Sequence, residues 1–133
     1  MVSTRYKQHA GGVYTLHYHF VWCPKYRRKV LQGAIADRLK ALLYEKADVL
    51  GVSVEGLDVL PDHVHLFVAA SPIDAPQYLA NQFKGYTARV LRDEFPGLKS
   101  RLPSLWSRSY YVGSAGHVSA DTIQKYIEQQ KRS

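Results

Sequence analysis

The chain has a single cysteine, Cys23, which excludes an internal disulfide and a cysteine metal cluster. No apolar run reaches the roughly twenty residues that a helix needs to cross a bilayer. The opening residues, MVSTRYKQHAGG, include no apolar stretch of signal-peptide type, so the cytoplasm is the expected compartment. There are no internal repeats and no low-complexity tail. Acids are also missing from one end: none lies between Met1 and Gln32, where Arg5, Lys7, Lys25, Arg27, Arg28 and Lys29 are basic.

What is present suits one folded domain spanning 1–133. The hydrophobic share is 46%, ordinary for a globular core, and 133 residues are enough for one core but not for two. Eighteen Lys and Arg against eleven Asp and Glu leave a net charge of +7. A second basic set, Lys84, Arg89, Arg92, Lys99, Arg101 and Arg108, is offset mainly by Asp93 and Glu94. Spread positive charge of this kind matches a phosphate backbone, and it serves equally as a solubilising surface.

Val13 to Trp22, VYTLHYHFVW, is aromatic and β-branched and reads as the first strand. From Ala34 to Leu50, apolar residues at helical spacing (Ile35, Leu39, Leu42, Leu43) run up to Gly51, which closes a helix. Val52–Leu60 and His63–Ala70 read as strands joined by a tight turn at Pro61 and Asp62. Asp74 is placed to cap a second helix with Leu79, Phe83, Tyr86 and Val90 as its buried stripe, ended by Pro96-Gly97. An irregular basic link, LKSRLPSLWSR, leads to a short strand at Tyr110–Ser114. The run Gly113–Gly116 is the expected hinge before a last helix, capped by Ser119 and continuing through Gln130. The order β-α-β-β-α-β with one added C-terminal helix is the ferredoxin-like pattern of an α+β fold. That fold hosts many unrelated functions.

Chemistry concentrates in PDHVHLFV. Strand side chains alternate, so His63 and His65 share one face and Val64, Leu66 and Val68 the other. Two adjacent imidazoles are half of a divalent metal site, or two satisfied polar groups. The same spacing recurs at His17 and His19, and the ferredoxin-like order makes the first and third strands neighbours. Along the last helix Ile123, Tyr126, Ile127 and Gln130 share a face. Were that face to dock on His63 and His65, two imidazoles and an amide carbonyl would surround a metal beside a phenol. Such a set would let tyrosine attack a metal-polarised phosphate, leaving a phosphotyrosine and a 3′-hydroxyl. A half-buried helix tyrosine and a surface glutamine are the plainer reading of the same residues.

Three stretches, YHFVWCPKYRRKVL (Tyr18–Leu31), PDHVHLFV (Pro61–Val68) and IQKYIEQQ (Ile123–Gln130), resemble the HUH-type single-tyrosine transposases of the smallest bacterial and archaeal insertion sequences. FKGYTARVLRDEFPGL and LPSLWSRSYY extend the likeness over nearly the whole chain. The resemblance implies that His63 and His65 hold the metal with Gln130 and that Tyr126 is the nucleophile. It leaves His17 outside the site and does not make His19 a ligand. It implies Mg²⁺ or Mn²⁺, and a homodimer in which the 117–133 helix segment of one subunit can dock on the histidine pair of the other. Its implied substrate is single-stranded DNA with a hairpin near each element end, cut and rejoined to release a single-stranded circle. Lys25, Arg27, Arg28, Lys29, Lys84 and Arg89 would then meet the DNA backbone, and Tyr26 and Trp106 are candidates to stack on unpaired bases. Two other functions fit parts of this pattern. One is a nicking enzyme of the replication-initiator kind, which usually needs a longer chain. The other is a ferredoxin-like nucleic-acid-binding module without chemistry.

Overall fold

The computed structural model describes residues 7–9, 12–114 and 120–130, with side chains from 15 to 114 and from 123 to 130. The first expected strand is divided. Gly12–Tyr14 (β2) pairs with Lys7–His9 (β1) in a separate hairpin, and Leu16–Trp22 (β3) enters the main sheet. The remaining elements are α1 (Gly33–Leu50), β4 (Ser53–Leu60), β5 (His63–Ala70), α2 (Pro76–Glu94), α3 (Pro96–Arg101), β6 (Tyr111–Ser114) and α4 (Ala120–Gln129).

The four-stranded sheet has the order β4-β5-β3-β6, with every neighbouring pair antiparallel. This is the ferredoxin-like arrangement expected from element order, with α4 as the added helix. Gly51 ends α1 in the left-handed region at φ 73°, a conformation that costs glycine little, and its N–H returns to the Ala47 carbonyl.

Alternation sorts the two faces of the sheet. Phe20 and Trp22 of β3 and Val64, Leu66 and Val68 of β5 turn inward against Leu39, Leu42 and Leu43 of α1 and Leu79, Phe83 and Leu91 of α2. Full burial of each large apolar side chain stabilises the fold by about 1.5–3 kcal/mol. The opposite face carries what lies between those residues in sequence. There Val21 stands across from His65, and His19 across from Phe67. α4 covers one end of this second face, where Ile127 packs on Val21 and Cys23, joined by Ile123, Tyr126 and Tyr111.

Three local expectations are corrected. Asp74 does not cap α2: Ala75 is the N-cap, Pro76 fills the first turn, and the Asp74 carboxylate accepts the Ser71 N–H at 3.1 Å. The link expected to be irregular from Leu98 opens inside a helix instead: α3 starts at Pro96, a position where its missing N–H costs nothing, and runs to Arg101. Trp106 is core: its ring meets Trp22 edge-on at 5.8 Å and its N–H donates to Thr87 Oγ1 at 3.1 Å. It has no face to offer a base. The expected cap at Ser119 and half of the Gly113–Gly116 hinge, Ala115 and Gly116, lie outside the described residues, while Gly113 and Ser114 belong to β6.

Candidate active site

His63 and His65 do stand side by side at the start of β5, with ring centroids 4.9 Å apart and planes at 77°. The hairpin that leads into β5 supplies a partner for the first. His63 Nδ1 donates to Asp62 Oδ1 at 2.7 Å, and Asp62 Oδ2 accepts Arg27 Nε–H at 2.8 Å. Arg27 reaches Asp62 from a strained turn, since Tyr26 and Arg27 have φ of 58° and 53°. Each such left-handed non-glycine residue costs about 1 kcal/mol. Burial alone would raise the Asp62 carboxyl pKa, but the hydrogen bonds from His63 and Arg27 outweigh it and hold the group below its ordinary value. The second Arg27 arm donates to the Ile127 carbonyl on α4 at 3.4 Å.

His65 has a different partner. Its Nδ1 lies 2.9 Å from His19 Nε2. Burial, then the neighbouring His63 and His19, push the His65 pKa down to about 4, so the ring is neutral near pH 7 and its lone pair is available. His19 is itself 5% exposed and lies flat on Phe67, with centroids 4.0 Å apart and planes at 10°. Gly56 on β4 leaves room for that stack, because a Cβ there would stand 3.2 Å from the Phe67 ring. His17, two residues earlier, is exposed and pairs with Glu55 at 2.7 Å. The two histidines of this H-x-H therefore have different fates, decided by register: His19 stands opposite Phe67, next to His65, and His17 opposite Ala69, farther along β5.

Tyr126 on α4 and Gln130, just past its end, lie one turn apart and dock together on the 107–109 segment. Gln130 is 4% exposed, and its Oε1 accepts the Ser107 hydroxyl at 3.1 Å and the Ser109 hydroxyl at 3.0 Å. The Tyr126 hydroxyl lies 3.4 Å from Ser109 Oγ. Burial pushes the phenol pKa up to about 12, partly countered by the Ser109 contact. Gln130 is thus no surface residue, and its amide oxygen is engaged by two serine hydroxyls. A row of rings crosses from this shelf to the histidine pair: Tyr126 to Tyr111 at 6.4 Å, Tyr111 to His19 at 6.4 Å, then His65 and His63.

Lys84 is corrected from a DNA-facing cation to a buried clamp. Its ammonium donates to the carbonyls of Ser107 (2.8 Å), Arg108 (3.1 Å) and Ser109 (3.0 Å), which uses all three N–H groups. Burial lowers its pKa to about 8. Arg27, committed to Asp62 and α4, is also inside the site. Lys25 is half-buried, while Arg28, Lys29 and Arg89 are exposed. Tyr26 is 43% exposed, with the Lys25 ammonium over its ring at 5.1 Å. Asp62, Ser107 and Ser109 were not singled out as site residues by sequence. The acid directly before His63 was a signal for the first, whereas the serines had none.

Among the described residues no three His, Cys, Asp or Glu side chains form a group that could hold a metal. A cation at this pair would need a further donor of another type, such as an amide oxygen. The donor chemistry fits in part: both imidazoles have Nδ1 engaged, which leaves Nε2 as the atom that would face a cation, and imidazole suits the softer divalent ions, so Mg²⁺ or Mn²⁺ would need oxygen donors beside the pair. No described helix is long and apolar enough to cross a membrane.

The chain matches a family model described as "Transposase IS200 like" over residues 12–130. It is 41% identical over 126 residues to the ISDra2 transposase TnpA of Deinococcus radiodurans, covering 93% of this chain and 90% of that protein. It is 29% identical over 115 residues to the transposase for insertion sequence element IS200 of Salmonella typhimurium, covering 85% of this chain and 75% of that one. A crystal structure from D. radiodurans R1, described as that of a transposase, superposes with a TM-score of 0.86 at 37% identity, over 96% of this chain and 99% of the other. A REP-associated tyrosine transposase bound to a REP hairpin shares the fold, with a TM-score of 0.57 at 12% identity over 85% and 62% of the two chains.

Proposed function

The chain belongs to the IS200-like transposase family, and from that premise we propose that it cuts and rejoins single-stranded DNA at hairpin-marked element ends. Tyr126 is the nucleophile, and His63, His65 and Gln130 hold a divalent cation, Mg²⁺ or Mn²⁺. The observation that carries this reading is the histidine pair itself. Its rings lie 4.9 Å apart with both Nδ1 atoms engaged, on the sheet face that α4 shares.

A bound cation would polarise the scissile phosphate and stabilise the charge that develops on it. The Tyr126 oxygen attacks phosphorus, and the bond from phosphorus to the 3′-oxygen breaks. That oxygen takes up a proton as a free 3′-hydroxyl, while the 5′-phosphate stays on the tyrosine. A 3′-hydroxyl reverses the step to reseal a strand without ATP. The phenol must lose its proton in attacking, and burial, which pushes its pKa up to about 12, opposes that loss. For Gln130 to serve as a ligand its amide oxygen must leave the Ser107 and Ser109 hydroxyls, so on this reading α4 shifts toward a histidine pair of its own or of a second subunit.

The hairpin in the related REP-associated complex supports a hairpin substrate here. Lys25, Arg28, Lys29 and Arg89 remain as the cations placed to meet phosphates, since Arg27 and Lys84 are spent inside the protein. The test is a labelled single-stranded hairpin oligonucleotide from the cognate element end, incubated with Mg²⁺ and run on a denaturing protein gel. A metal-dependent covalent adduct that Tyr126→Phe abolishes is expected. An adduct surviving that change would remove Tyr126 as nucleophile, and no adduct on a verified end would leave a binding module.

A further inference from the structure

His19 entered as the near copy of the histidine pair and is no ligand in the function proposed above. Its position is nevertheless more constrained than that of any surface histidine. Strand register sets it opposite Phe67 and one step from His65, and it is sandwiched on the Phe67 ring that Gly56 makes room for. The contact with His65 is between nitrogens, Nε2 of one and Nδ1 of the other, at 2.9 Å.

Two neutral imidazoles that share one hydrogen bond have only two arrangements. If His19 Nε2–H donates, His65 accepts at Nδ1 and carries its own proton on Nε2, where a metal would have to bind. If His65 Nδ1–H donates, the His65 proton is fixed at Nδ1 and the Nε2 lone pair is exposed to a ligand. Asp62 does the same for His63 with a carboxylate, the usual kind of outer partner for a metal-binding histidine.

We propose that His19, itself held flat on Phe67, is the positioning residue for His65: it accepts the Nδ1 proton and so selects the tautomer whose Nε2 can ligate a divalent cation. The pair would thus be prepared asymmetrically, His63 by a carboxylate from its own turn and His65 by a neutral ring from the adjacent strand. His17 supplies the control, because it has the same chemistry on the same strand but pairs with Glu55 at the surface.

The inference rests on the metal reading above, and two measurements separate the failure of one from that of the other. The first uses the metal-free full chain. Imidazole ¹⁵N NMR should show His65 protonated at Nδ1 in the wild type and shifted toward the Nε2-protonated form in His19→Phe, which keeps a ring on Phe67 but offers no nitrogen. The second is Mn²⁺ titration by calorimetry, with His65→Ala as the reference for loss of the site. His19→Phe should weaken Mn²⁺ binding about 10- to 100-fold, His19→Gln, which restores an acceptor, should recover part of it, and His17→Phe should change nothing. Should His19→Phe unfold the chain, the wild-type tautomer and the His19→Gln affinity still decide the matter. A wild-type His65 protonated at Nε2, or a folded His19→Phe with unchanged tautomer and affinity, would overturn the proposal. Mn²⁺ binding indifferent to His65→Ala would instead sink the metal reading, with the tautomer result still judging His19.

Discussion

Single side chains in this protein do work that their type alone would not suggest, and Lys84 is the clearest case. It was grouped with phosphate-facing cations because charge can be counted in a sequence, but its hydrogen-bond partners lie more than twenty residues away. Those partners are the three carbonyls of 107–109, whose serine hydroxyls hold Gln130. Lys84→Met fills the space but leaves the three carbonyls without their donor. A cost of about 1–3 kcal/mol is expected from loss of charged, buried hydrogen bonds, read as a lower urea midpoint with unchanged slope. Nearby Cys23 makes a prediction about pH. Burial pushes its thiol from 9.0 up to about 12, so between those values the folded chain keeps a proton that the unfolded chain releases. The sign is destabilising as pH rises. Cys23→Ala removes that contribution, so the stability gap between wild type and variant should narrow from pH 9 toward 12 in chemical denaturation. A constant gap would mean that the folded thiol titrates normally.

At the scale of elements, what could be read from sequence was whatever is decided locally. Leu39, Leu42 and Leu43 at helical spacing gave α1, and Gly51 gave its end. The alternation of Val64, Leu66 and Val68 was enough to put His63 and His65 on the other face of β5. Pro96 was rightly read as the end of α2 but α3 after it was missed, because proline ends one helix and begins the next with equal ease. The His19–His65 contact was visible only as a possibility, since register between β3 and β5 is a tertiary fact. α4 shows the same limit: its apolar face was plain, but not that it would rest on 107–109. It docks through Ile127, Ile123 and Tyr126 on a small cluster separate from the main core. Ile127→Asp should therefore release α4 while leaving the rest folded. Hydrogen exchange should show amides of 123–130 losing protection and those of β3 and β5 keeping theirs. Global unfolding instead would show that α4 belongs to the core.

For the whole molecule the question is how a net charge of +7 is spent. Internal engagement removes Arg27 and Lys84 from any DNA-facing surface, and Arg38 is taken up by a two-point pair with Glu94. One concentration among the described residues is a cleft of about 230 Å³ where Arg28 and Lys29, from the link between β3 and α1, meet Arg101 at the end of α3. Distant parts of the chain thus converge three cations on one concavity, a better match to successive phosphates than the same charges scattered. Phosphate contacts release counterions, and for single strands each contributes about 0.7 to the slope of log K against log salt. Replacing Arg28 and Arg101 with alanine should weaken hairpin-oligonucleotide binding for all sequences alike and lower that slope by about 1.4, as measured by anisotropy across a salt series. Lys84→Met should leave the slope unchanged, because its charge never faces solvent. A slope that fell for Lys84→Met and not for the double variant would reverse the assignment of inside and outside charge, and with it the surface on which this chain is expected to hold DNA.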